Sequence, residues 1–332
     1  MNRVYVRTTV ALVLLFAFSA VIAPATIADD GRVGTPVAKR SALATAKKKV
    51  VLVQGACTEL SSGTFDGLKT LLKGQYGYAE DDFLLYSYKG GTVDANGVWR
   101  PNAYGVMDPI TQDFATTDLA ALHDQLLVPY RARNPNTTFV LIAHSLGGMV
   151  AMQEVTSKVS AADYQQGSIS QVITIDSPLR GVTAEVAAVG AILAANPSIA
   201  PSLACLTGGP AVSRLAALHS QEPATTNGLI QSIALAQTRG VSVVNVGNVY
   251  DCVWEWRFCS VQVTGDLLTQ WVIGSAAQFQ IVQSFPPPCL QIPQFGIQLA
   301  VLCFQATHGA AINGLEPAAT VRIADSIGQQ SS

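Results

Sequence analysis

The chain has 332 residues, six cysteines, four histidines and a formal net charge of −2 at pH 7. Only 13% of its residues are charged, and no basic stripe runs along it. That balance argues against a nucleic-acid partner. At the N-terminus Arg3 and Arg7 precede an apolar run from Val10 to Ile22, and Ala23, Ala25 and Ala28 follow just before Asp29-Asp30. A charged start, an apolar middle and small residues before a polar stretch define a signal peptide over 1–28, cut after Ala25 or Ala28. The expected location is therefore extracellular. The run sits near the short end for a membrane span, so an uncleaved anchor is the alternative. Residues 29–48 are small, polar and locally basic, and read as a flexible lead or a short propeptide. The remaining 49–332 suit one α/β domain with insertions.

Apolar periodicity then sets out an alternating series. A strand is expected over 50–53, followed by Gln54-Gly55-Ala56-Cys57, then a helix over 65–72 and a strand over 83–88. A helix over 113–127 leads to a strand beginning at Phe139. A strand over 172–175 ends at Asp176-Ser177-Pro178. A helix over 228–236 precedes the β-branched strand 241–246, and Asp251 lies just beyond it. Alternation of this kind, with continuously apolar strands, argues for a mostly parallel sheet covered by helices on both faces.

The most informative stretch is Phe139-Val140-Leu141-Ile142-Ala143-His144-Ser145-Leu146-Gly147-Gly148-Met149-Val150-Ala151. It reads as a buried strand, a tight turn holding one serine, and a small-residue helix start. A serine hydroxyl becomes a nucleophile when a base takes its proton and the backbone holds it within reach of substrate. A sharp strand-to-helix turn supplies the second condition and aims helix N-terminal N–H groups at developing negative charge. The stretch resembles the nucleophile elbow of the α/β-hydrolases, in the A-H-S-x-G-G form of some secreted bacterial lipases and esterases. Ala143 stands where the usual pattern has glycine.

The resemblance implies an acid and then a histidine later in the chain. His219 and His308 are the two histidines that follow Ser145. His308, in a late loop after an apolar run, is the expected base, and His219 reads as a helix-end residue. Asp251 is the expected acid, with Asp176 as the alternative and Asp266 a third candidate. The resemblance also places the oxyanion donors at the backbone N–H groups of Leu146 and of Ala56, with Gln54 where lipases carry histidine. No cofactor and no metal is expected.

Cys57, Cys205, Cys252, Cys259, Cys289 and Cys303 form no C-x-x-C pair and stand at no zinc spacing from a histidine. In an exported chain they read as disulfides, with Cys252–Cys259 and Cys289–Cys303 as local pairs and Cys57–Cys205 remaining. Two apolar stretches, 182–218 and 267–303, follow strand ends and read as cap-like insertions. An apolar cover over a serine suits acyl chains, which gain about 0.8 kcal/mol per buried CH₂. The expected substrate is thus an apolar carboxylic ester, met in solution or at a lipid–water interface, with no obligate protein partner. Acyl transfer, thioester cleavage and polyester cleavage would use the same groups. A non-catalytic lipid-binding protein is the alternative from another class.

Overall fold

A computed structural model describes residues 48–56, 58–105, 113–182, 211–221, 224–248, 277–281, 320, 321, 323–325 and 327. Its centre is a six-stranded sheet built from β1 (Lys49–Val53), β2 (Phe83–Leu85), β5 (Phe139–His144), β6 (Ile169–Ile175), β7 (Ser242–Asn248) and β8 (Ala277–Ile281). The spatial order is β2-β1-β5-β6-β7-β8, and every pairing is parallel. A separate antiparallel hairpin, β3 (Gly91–Val93) with β4 (Trp99–Pro101), interrupts the chain after β2.

The apolar strands read as continuous runs because both faces are buried. Val51, Val53, Leu141, Ala143, Val172 and Val243 join one core. Their alternates Val50, Leu52, Val140, Ile142, Ile173, Ile175, Val244 and Val246 join the other. This is the two-residue side-chain period of a strand, with each face pressed on helices.

The first core is covered by three helical pieces. The rod α2 runs over 117–133, with a π-helical stretch Ala121–Leu127 between the α-helical turns Thr117–Ala120 and Val128–Arg133. The wide turn stands directly before Pro129, which has no N–H to give an α-helical bond. Next come α3 (Leu146–Gln153), continued by a second π-helical stretch, Glu154–Val159, and α5 (Ala224–Thr238). The helix α4 (Ala211–Ser220) adds Ala211 and Leu215 to this core. On the second face lies α1 (Asp66–Tyr76) with Leu68 and Leu72, beside the buried Ile323, Ala324 and Ile327 near the C-terminus. The Tyr76 hydroxyl donates to the Asp325 carboxylate and ties these two parts together.

The expected strand over 83–88 ends early, at Leu85. Tyr86 and Tyr88 turn into the first core instead, and Gly90, at φ 66°, carries the chain into the hairpin. Strand β8 occupies part of the stretch 267–303; the rest of it, and 183–210, lie outside the described residues. So do the N-terminal 47 residues and all six cysteines. Among the described residues no helix is long and apolar enough to cross a membrane.

Candidate active site

Parallel strands bring their carboxyl ends to one edge of the sheet, where the loops after β1, β5 and β6 meet. Ser145 follows β5 directly and is 6% exposed. Its backbone stands at φ 55°, ψ −128°, and its N–H donates to the Ile175 carbonyl at 2.9 Å. A side-chain-bearing residue at positive φ stores on the order of 1–3 kcal/mol of strain, and such residues cluster at functional sites. The surrounding packing enforces it. A Cβ at Gly147 would stand 2.5 Å from the carbonyl oxygens of both Val53 and Gln54. A Cβ at Gly148 would stand 1.9 Å from Ser177 Oγ. The helix α3 therefore starts hard against β1 and the loop after β6, and the chain must pivot at Ser145 to enter it.

The loop after β1 closes on the serine from the other side. A Cβ at Gly55 would lie 2.7 Å from Ser145 Cβ and 3.2 Å from its Oγ, so only glycine fits. The loop is pinned by the fully buried Gln54. Its Nε2 donates to the Leu60 carbonyl at 3.1 Å, and its Oε1 accepts from Ser62 Oγ. Among the described residues the N–H groups of Gly55, Ala56 and Leu146 have no hydrogen-bond acceptor. Of these three residues, Gly55 packs directly on Ser145 and Leu146 follows it in the chain.

A strained serine between parallel strands, leading straight into a helix, with a glycine loop of the neighbouring strand against it and β6 on its other flank, decides the fold class. The chain is an α/β-hydrolase in fold. A family model for a PGAP1-like alpha/beta domain matches residues 117–191, which carry α2, β5, Ser145, α3 and β6. No curated protein matches the chain in sequence. Among solved structures, an esterase from Thermogutta terrifontis with bound malate is 12% identical, with 86% of this chain and 91% of that one covered at a TM-score of 0.40. The epoxide hydrolase CorEH without ligand is 10% identical, with 84% and 91% covered at 0.38. A carboxyl esterase from Bacillus coagulans in complex with glycerol is 13% identical, with 72% and 82% covered at 0.37. Strand order and the elbow, rather than these scores, define the fold.

The other anticipated site residues divide by location. Asp176 follows β6, is fully buried, and takes φ 48° while its N–H donates to the Val246 carbonyl at 2.9 Å. It and Ser145 are the non-glycine residues at positive φ among the described residues, on adjacent strand ends. Asp251 stands three residues beyond the end of β7 in sequence; it, Asp266 and His308 lie outside the described residues. His144 closes β5 and is buried. His219 lies near the end of α4, packed on Gly181, where a Cβ would come 2.6 Å from the His219 backbone nitrogen. His123 is engaged elsewhere: its Nδ1 pairs with the buried Glu154 carboxylate at 2.8 Å.

The aromatic tract Tyr86–Tyr104, whose sequence suits either the mouth of the site or surface-loop packing, instead forms a buried cluster. Tyr86, Tyr88 and Tyr104 stack edge to face, with ring centroids 5.0 and 5.9 Å apart. The Tyr88 hydroxyl donates to the Gln54 carbonyl at 2.7 Å, and Tyr86 to the Asp118 carbonyl at 3.0 Å. The Asp118 carboxyl is buried beside them, and burial, helped by the nearby Asp113 charge, pushes its pKa up to about 8. Burial also raises the tyrosines, Tyr104 to about 12, so all three phenols keep their protons at neutral pH.

Proposed function

We propose that the chain is an exported carboxylic-ester hydrolase acting on apolar acyl esters. The observation that carries this reading is the strained Ser145, followed by Leu146 and packed against the loop of Gly55 and Ala56, whose N–H groups have no acceptor among the described residues. Ser145 Oγ attacks the ester carbonyl carbon while His308 takes its proton and Asp251 holds the His308 ring. The carbonyl oxygen becomes an oxyanion and accepts from the Ala56 and Leu146 N–H groups. Preorganised donors of this kind are typically the largest single contribution to such a reaction. The tetrahedral intermediate collapses, the C–O bond to the alcohol breaks, and His308 returns the proton to the leaving alkoxide. Water then attacks the acyl-enzyme with His308 as base, releasing the acid and free Ser145.

Apolar residues in the stretches 182–218 and 267–303 support an acyl-chain substrate, and the leader over 1–28 supports export. The test uses a fluorophosphonate probe and p-nitrophenyl esters from C2 to C16. Wild-type protein is expected to label at Ser145 and to turn over the esters. Ser145→Ala should lose labelling and turnover by several orders of magnitude, and His308→Ala should lose comparable turnover, because triad members act as a unit. A folded wild-type protein that neither labels nor hydrolyses would overturn the reading and favour a lipid-binding role.

A further inference from the structure

Consecutive peptide groups in the loop after β1 are each gripped by a hydroxyl. Tyr88 Oη donates to the Gln54 carbonyl at 2.7 Å. Thr58 Oγ1 donates to the Gly55 carbonyl at 2.8 Å. A trans peptide is planar, with its C=O and N–H pointing in opposite directions. Fixing the Gln54 carbonyl therefore fixes the Gly55 N–H, and fixing the Gly55 carbonyl fixes the Ala56 N–H. Those two N–H groups have no acceptor among the described residues, and Gly55 is packed on Ser145. Glycine at 55 leaves φ and ψ otherwise permissive, so without the hydroxyl grips this peptide pair could rotate away from the serine.

We propose that Thr58 and Tyr88 are positioning residues that set the rotation of the two peptide planes carrying the Gly55 and Ala56 N–H groups, and so preform the oxyanion site beside Ser145. This rests on the ester-hydrolase reading above. Both grips are well anchored. The Tyr88 ring is buried and held edge to face by Tyr86 and Tyr104, and its phenol stays protonated and able to donate. Thr58 is three residues from its acceptor, so its bond closes a tight local ring that cannot follow a peptide flip. Neither side chain touches the reacting atoms. Their effect should appear where charge develops on the carbonyl oxygen rather than in ground-state binding.

The experiment compares wild type with Thr58→Val, Thr58→Ser and Tyr88→Phe. It measures kcat and KM on p-nitrophenyl butyrate, inhibition by a boronic acid that forms a tetrahedral adduct, and thermal melting. Removing one oxyanion donor outright costs about 10²–10³ in kcat. Loosening one should give a smaller loss: about 10- to 100-fold for Thr58→Val and about tenfold for Tyr88→Phe, with KM within about twofold. Boronic acid affinity should fall in step with kcat, and Thr58→Ser should recover to within about threefold of wild type. Tyr88→Phe is nearly isosteric and carries the test if Thr58→Val does not fold. An active wild type whose Thr58→Val and Tyr88→Phe variants keep full kcat, or whose losses lie in KM alone, overturns the positioning role and leaves the hydrolase reading standing. Equal damage from Thr58→Ser and Thr58→Val also overturns it. A wild type inactive toward esters and the fluorophosphonate probe overturns both.

Discussion

Ser145 and Asp176 share an unusual backbone state, and they occupy equivalent places at the ends of β5 and β6. That makes the choice of acid a contest between residues. Asp251 has the chain order and the loop after β7; Asp176 has burial and strain. If Asp251 orients His308, Asp251→Asn should preserve the contacts but favour the wrong histidine tautomer, lowering kcat by up to about 10⁴-fold. Asp176→Asn should cost far less. Kinetics on one ester for both variants decide it, and the reverse ranking would move the acid to β6. Asp118 offers a second residue-scale expectation. Its folded pKa of about 8 lies well above the ordinary aspartate value of 3.8. The folded state therefore holds a proton that the unfolded chain releases. This group's contribution is most favourable below about pH 4 and is lost as pH rises toward 8, at no more than about 1.4 kcal/mol per pH unit. Asp118→Asn removes that dependence. Melting at pH 5 and pH 8 should show the variant gaining on wild type as pH rises, and a constant difference would mean that Asp118 is already ionised in the fold.

At the scale of elements, the start of α3 is a tight joint between helix and sheet. Gly147 brings the helix backbone against the last carbonyls of β1, and backbone cannot yield as a flexible side chain can. Gly147→Ala should destabilise the fold by about 1–3 kcal/mol through overpacking. It should also lower kcat, since displacing α3 shifts the Leu146 N–H. Gly228→Ala is the counterpart. It lies exposed within α5 with nothing near its would-be Cβ, and should stabilise by about 0.5–1 kcal/mol. Urea titration of both measures the contrast, and equal effects would mean that the joint relaxes. The elbow was legible in sequence because its signal is local: an apolar strand, one polar residue, two glycines, a small-residue helix. The hairpin β3–β4 was not. Its strands are three residues long, too short for a period, and Gly91 and Pro101 read as breakers. Strand β8, Ala-Gln-Phe-Gln-Ile, carries an alternating pattern that was masked by the apolar stretch around it.

Across the whole molecule, the mostly parallel sheet and its both-face burial followed from the alternation of apolar runs, because a parallel sheet needs helical crossovers and covered faces. The tertiary bonds that shape the site did not follow. Thr58 to Gly55, Tyr88 to Gln54 and the burial of Asp118 are contacts that no period or motif announces. The largest further constraint proposed for the whole chain is covalent. Six cysteines without metal spacing, behind the proposed export leader, read as disulfides. Cys252 adjoins Asp251, and Cys303 stands five residues before His308. If these cysteines are bridged, the crosslinks restrain both loops that must present the acid and the base. A closed loop of about 15 residues contributes roughly 3 kcal/mol in the chain-entropy account. A catalytic group displaced by about 1 Å can lose on the order of 10²-fold in rate. Reduction should therefore lower both melting temperature and ester turnover, and activity should fall before the fold is lost, since the sheet carries its own core. Thiol titration of denatured, unreduced protein from its native compartment should find few or no free thiols. Six free thiols would remove the crosslinks and weaken the argument for export with them.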